Sequence, residues 1–168
     1  MATMSVDALK NNLTNPARVY LWEVLFPNPV AGDPETLLLR CQTTSMPGRS
    51  FGRIHVPFKQ SGGIEFPGKL TYSHNWELTF QEGSDREIFN AFYGWCQAVI
   101  HDKYNTGDLI IKRNILLHLI ETDGSVSKKI RLIGCFPSEM RDVALDQNSE
   151  DALKFTIVFG YDRWEEAA

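Results

Sequence analysis

From Leu70 to Phe80 the chain alternates without a break: Tyr72, His74, Trp76, Leu78 and Phe80 fall on one side, and Thr71, Ser73, Asn75, Glu77 and Thr79 on the other. A period of two marks a half-buried β-strand, one face packed and the other wet. This run alone ties the chain to a sheet with one dry side. Leu153 to Tyr161 repeats the pattern, with Leu153, Phe155, Ile157, Phe159 and Tyr161 opposed to Lys154 and Thr156. Leu109–Glu121 and Val126–Phe136 are apolar runs flanking Thr122-Asp123-Gly124-Ser125, and Asp-Gly between such runs signals a tight hairpin. Arg18–Phe26, dense in aromatic and branched residues and stopped by Pro27, reads as a further strand. Thr36–Thr44, after the Gly32-Asp33-Pro34 turn, reads as another. One helix is expected over 84–100: Ser84-Asp85-Arg86-Glu87 has the form of a capping box, and Ile88, Phe89, Phe92, Trp95, Cys96 and Val99 recur at helical spacing behind it. Together these runs specify a mainly β, mostly antiparallel domain with one flanking α-helix.

Two segments stand outside this pattern. The arm Met1–Asn15 is weakly helical, with Val6, Leu9 and Leu13 on one side, and Asn15-Pro16 ends it. Ser45–Lys69 carries Met46-Pro47-Gly48, Pro57, Gly62-Gly63 and Pro67-Gly68 with only a weak alternation at Ile54, Val56 and Phe58, and reads as a long loop or an extended β-excursion. Excursions of this length are uncommon unless they bind or cover something. The whole chain of 168 residues fits one domain, 1–168, and 43% hydrophobic with 23% charged residues places it among globular proteins. A formal charge of −4 has the wrong sign for gripping a polyanion over a broad surface. Cys41, Cys96 and Cys135 are too few and too scattered for a disulfide framework, so a reducing cytoplasm is the expected place of synthesis. No basic-then-apolar leader opens the chain and no apolar run approaches about 18 residues, so no membrane association is expected.

Motifs with chemical meaning fail on inspection. Gly63-Ile-Glu-Phe-Pro-Gly68-Lys69 matches the start of a phosphate-binding loop. However, Leu70 stands where a magnesium-binding hydroxyl is needed, Pro67 lacks an amide donor, and a strand rather than a helix follows. Asp146-Gln147-Asn148-Ser149-Glu150 opens like a calcium loop but continues with Asp151 for the turn glycine and Ile157 for the closing glutamate. His55, His74, His101 and His118 share no helical face, Cys96 lies on an apolar helix side, and no nucleophile elbow occurs. Lys112-Arg113 and Lys128-Lys129-Arg131 lie on the two arms of the expected hairpin without interleaved aromatics, which suits a solvated face or a subunit interface better than a nucleic-acid platform. No enzyme, metal or cofactor is indicated.

An ordered series of features resembles the tail tube protein family of contractile-tailed bacteriophages. It runs from Asn15-Pro16-Ala17-Arg18 through Leu39-Arg40-Cys41-Gln42 and Met46-Pro47 to Asn75-Trp76-Glu77-Leu78-Thr79. It continues with the helix bearing Trp95, then Lys129–Pro137, Leu145 and Phe155–Phe159 with Tyr161 and Trp164. The resemblance implies an antiparallel β-sandwich or half-barrel that closes into a hexameric ring barrel, with rings stacked into a hollow conduit for DNA ejection inside a contractile sheath. It also implies a place in the virion, sheath, baseplate and tape-measure partners, and DNA that passes without specific binding. Under this reading the polar rows Gln42 and Thr44, Asn75, Glu77 and Thr79, and Lys154 and Thr156 line the lumen, with bulk solvent as the alternative. Six copies at −4 give a ring charge of about −24, which repels phosphate. Residues 45–69 then become an inter-ring loop, mobile in the monomer, with Met46, Pro47, Phe51, Ile54, Val56, Phe58 and Phe66 as contacts, alongside the arm. A tube initiator of the baseplate, or the hexameric tube of a contractile injection or secretion system, is an alternative. From another class, so is a monomeric ligand-binding or enzymatic β-barrel using the 63–69 turn.

Overall fold

The computed structural model describes residues 6, 10, 16–59, 62–102 and 111–168. Its elements are β1 (Trp22–Leu25), α1 (Pro34–Arg40), β2 (Cys41–Thr44), β3 (Arg49–Pro57), β4 (Gly63–Tyr72), β5 (Asn75–Gln81), α2 (Glu87–Asp102), β6 (Arg113–Ile120), β7 (Val126–Met140), β8 (Lys154–Gly160) and β9 (Arg163–Glu166). Apart from the hairpin β3–β4, the strands form one antiparallel sheet ordered β1-β6-β7-β8-β5-β2, with β9 also on β7. Among the described residues the strand order is open and no closed barrel forms within one chain.

The long strand β7 divides this sheet into two halves. Residues Ile130–Ile133 pair with β9, the stretch Val126–Cys135 pairs with β6, and Phe136–Met140 pair with β8. The corner falls at Gly134, whose φ of 70° is left-handed, and its amide donates to Asn114 Oδ1 at 3.2 Å. A Cβ there would lie 2.1 Å from Asp162 Oδ2, so both backbone and space demand glycine.

The core lies between the bent sheet and the helices. Phe159 is its hub, with ring contacts to Phe26, Trp76, Phe92 and Trp95. Ile88, Ala91, Phe92 and Trp95 form the buried stripe of α2, as the helical spacing requires. The cap differs from the expected box. Ser84 and Asp85 form a turn, and the carboxylate of buried Glu82 accepts from the amides of Gly83, Ile88 and Phe89 at 2.9, 3.1 and 2.8 Å. An anion thus meets the free N–H groups of the first turn from the preceding strand.

Several boundaries move. The expected strand 36–44 is a helix followed by a short strand. Asp33 caps α1 by accepting from the Thr36 amide at 3.0 Å, Pro34 occupies the first turn, and Leu37 is buried while Leu39 is exposed. The domain therefore has a second helix beside α2, and Val6 and Lys10 in the arm are helical. The first strand shortens to β1 because Arg18–Leu21 form a turn, with Val19 and Tyr20 exposed. The run 70–80 breaks at His74, whose φ is 57°; its ring bonds Tyr161 O at 2.8 Å, and only Trp76, Leu78 and Phe80 of that face are buried. The hairpin β6–β7 turns as expected at Asp123-Gly124, where the Ser125 hydroxyl and amide donate to Asp123 and hold its carboxyl below the usual range. Leu109 and Ile110, placed in that strand by the sequence, lie outside the described residues.

Candidate assembly surfaces

The polar rows come together on the outer face of the half-sheet β2-β5-β8-β7. Registers set Thr79 opposite Thr156 and Gln81 opposite Lys154, while Asn75 and Glu77 face Gly160 and Val158. Thr79 and Thr156 hydroxyls lie 3.1 Å apart, and Gln42 Nε2 donates to Gln81 Oε1. Thr44 leaves this row. A bulge after Cys41 puts Thr43 opposite Thr79 and Thr44 opposite buried Leu78, so Thr43 takes the position expected of Thr44.

Charge on this face is nearly balanced. Arg141 Nη1 lies 2.7 Å from Glu77 and its Nε 3.9 Å from Glu139, and Lys154 adds a second cation. The formal −4 of the chain is thus not concentrated on this face. The basic runs on β6 and β7 are also partnered. Lys112 meets Asp162 at 2.9 Å, and Lys128 and Arg131 meet Glu166 and Glu165 of β9 at 3.3 and 3.5 Å.

Among the described residues both borders of the half-sheet are open: β2 ends the strand order, and Phe136–Met140 of β7 pair only with β8. Such edges are templates for another chain.

Within 45–69, expected as a loop or β-excursion, and the first residues of the run expected as a strand over 70–80, the chain forms the hairpin β3–β4, registered from Arg49↔Tyr72 to Pro57↔Gly63. Gly63–Lys69 accordingly lies within β4, where its backbone joins the ladder instead of cradling an anion. Every residue of β3 is exposed. Ile54, Val56, Ile64 and Phe66 share one face at 54, 45, 56 and 49% exposure, so no other described part of the chain covers it. Phe51, Phe58 and Met46 are exposed as well, whereas Pro47 is buried. At the base of the hairpin, Trp164 Nε1 donates to Gly48 O at 3.2 Å and the Arg49 guanidinium sits 5.0 Å above the same indole. In the arm, Val6 is exposed. Leu9 and Leu13 lie outside the described residues.

Among the described residues no group of three or more His, Cys, Asp or Glu side chains is placed to hold a metal ion, and no helix is long and apolar enough to cross a membrane. Burial pushes the Cys41 and Cys135 thiols up to about 12 and raises that of Cys96, the opposite of an activated nucleophile. Asp146 accepts from the Asn148 amide at 2.9 Å in a solvated acidic turn.

The family model described as phage tail tube protein matches residues 23–167. The chain belongs to the phage tail tube protein family. Such a protein is a structural subunit of a tube. Solved structures share the fold of this tail tube chain at low identity. The tube-terminating cap of the anti-feeding prophage is 19% identical, with 98% of this chain and 99% of that chain covered and a TM-score of 0.71. In the extracellular contractile injection system PVC, the sheath/tube terminator chain is 20% identical over 93% of this chain and 99% of that chain, with a TM-score of 0.68. A chain of the PVC sheath-tube complex in the extended state is 18% identical over 99% of both, with a TM-score of 0.65. No curated protein matches this tail tube sequence.

Proposed function

We propose that copies of this chain join edge to edge into hexameric rings that stack into a tube, the conduit for DNA ejection within a contractile sheath. The observation that carries this reading is the half-sheet β2-β5-β8-β7, polar on its outer face and open at both borders. Its strands alternate in direction, so β2 runs opposite to β7, and the β2 edge of one copy can pair antiparallel with the Phe136–Met140 edge of the next. Six copies of four strands make a wall of about 24, beyond the roughly 16–18 strands that already leave an aqueous channel. Gln42, Thr43, Asn75, Glu77, Thr79, Lys154 and Thr156 then line the lumen. Hydroxyls, amides and a near balance of charges offer a passing polyanion little to hold, which favours sliding over binding. Ring closure also removes the exposed edges.

The hairpin β3–β4 and the arm with Val6, Leu9 and Leu13 serve contacts between rings. Sheath, baseplate and tape-measure proteins are the further partners. The role is structural rather than catalytic, within a virion tail whose subunits are made in the bacterial host cytoplasm. Negative-stain electron microscopy of the purified full chain across protein and salt concentrations tests the proposal: rings and tubes are expected, and discrete single copies under every condition would overturn it.

A further inference from the structure

Charge is unevenly placed on this chain. Residues 142–151, at the Gln81 end of the polar half-sheet, carry Asp142, Asp146, Glu150 and Asp151 with no cation. The hairpin segment 49–72, at the Asn75 end, carries Arg49, Arg53, Lys59 and Lys69 against Glu65. A third concentration lies on the other half of the sheet, formed by β1, β6, β9 and the first part of β7. A groove of about 440 Å³ there is lined by Asn28, Lys112, Arg113, Asn114 and Arg131 with two apolar residues, so it presents three cations and two amides and no carboxylate.

The donors of this groove are held in place. Asn114 Oδ1 accepts the Gly134 amide at 3.2 Å, which leaves Nδ2 as the donor of that side chain, and Arg113 Nη1 donates to Lys112 O at 3.2 Å, which orients the guanidinium. Lys112 Nζ is shared with Asp162 at 2.9 Å, while Arg131 Nη1 stands 3.5 Å from Glu165 in a loose pair with both side chains nearly half exposed. Asp162 and Glu165 lie outside the lining, so an arriving oxyanion meets donors on every side. Charge-assisted hydrogen bonds from guanidinium groups are among the strongest that a surface offers.

Placement selects the ligand. Ile115, Leu117, Ile130 and Leu132 share one core with Trp76, Leu78, Phe80, Ile157 and Phe159 of the polar half-sheet. Leu116 and Arg131, paired across β6 and β7, alternate with the buried residues and face away from that core. With the polar half-sheet turned to the lumen, the core separates the lumen from the groove, which opens on the outside of the tube. DNA in the lumen does not reach it, and Asp162, Glu165 and Glu166 around it repel an extended phosphate backbone.

We propose that this groove is an anion site for side-chain carboxylates from an acidic segment of a protein wrapped around the tube. This deepens the tube reading above and rests on it for the outward placement. Arg113 and Arg131 hold the carboxylate by charge-assisted hydrogen bonds, and the Asn114 amide adds a neutral donor.

Fluorescence anisotropy with a labelled hexa-aspartate peptide tests the site on the full chain, as single copies and as tubes. Saturable binding is expected in both states. Arg131→Gln is expected to weaken it roughly tenfold, and so is Asn114→Asp, which keeps the acceptor for Gly134 and loses the donor. Circular dichroism and thermal melting serve as fold controls. Arg53→Glu with Lys59→Glu, which reverses charge on the hairpin, is expected to leave binding unchanged. Undiminished affinity in both groove variants, or its loss in the hairpin variant, would overturn the site. Binding by single copies but not by tubes would mean that assembly covers the groove, and would overturn the wrapping partner. A short DNA duplex that displaces the labelled peptide as well as unlabelled hexa-aspartate does would overturn the choice of a protein carboxylate. Failure of the wild-type chain to form tubes, with peptide still bound at the groove, would instead overturn the tube reading and the wrapping partner and leave the anion site standing.

Discussion

Gly134 sits where β7 passes from one half of the sheet to the other, and its left-handed backbone makes that corner possible. A methyl group there meets Asp162, which is held by Lys112 Nζ at 2.9 Å and so does not retreat freely. Gly134→Ala is expected to cost about 1–3 kcal/mol, read as a fall in melting temperature of the isolated chain; an unchanged melt would contradict the corner. In sequence, Gly134 is one of several glycines in apolar surroundings, and nothing local marks its role. Glu82 is equally silent. The capping box at Ser84–Glu87 is the stronger local signal, yet tertiary placement at the end of β5 brings the Glu82 carboxylate to the helix instead. Only the fold decides which carboxylate reaches the amides.

At the level of elements, legibility follows the strength of the periodic signal. Trp76, Leu78 and Phe80 are buried as their alternation requires, the Asp123-Gly124 turn forms, and the buried stripe of α2 lies where helical spacing puts it. The helix α1 is missed because Leu37-Leu38-Leu39 mimics a strand, although Asp33-Pro34 is a sound helix start. The bulge that exchanges Thr43 for Thr44 is invisible, since a one-residue slip changes faces without changing composition. β9 escapes because Arg163-Trp164-Glu165-Glu166 has little strand character of its own and forms against the basic arm of β7. The hairpin β3–β4 is half legible: its apolar residues stand out, but its pairing is obscured by the Gly52–Gly68 crossing, where a Cβ on Gly68 would come within 2.9 Å of the Gly52 carbonyl. A two-stranded ribbon exposed on both faces is marginal alone. Amide hydrogen exchange of 49–57 and 63–72 is therefore expected to be fast in single copies compared with β5 and β8, and slow in tubes. Strong protection in single copies would contradict an element stabilised by assembly.

At the scale of the molecule, the chain has a finished core and unfinished borders. The aromatic cluster around Phe159 closes without help from another chain, while among the described residues two strand edges, the apolar face of an exposed hairpin and a polar sheet face have no partner within one copy. Net charge is a poor guide at this scale. The −4 of the chain averages over parts as different as a basic hairpin, an acidic loop at the opposite end and a balanced polar face. The single domain expected from length is a subunit whose surfaces make sense when repeated. The most direct test is a cryo-electron microscopy map of the wild-type assembly. The expected result is a continuous β-sheet wall in which β2 of each copy adjoins Phe136–Met140 of its neighbour, with Thr79 and Thr156 facing the lumen. A wall built through other edges, or one with this polar face turned outward, would contradict the account.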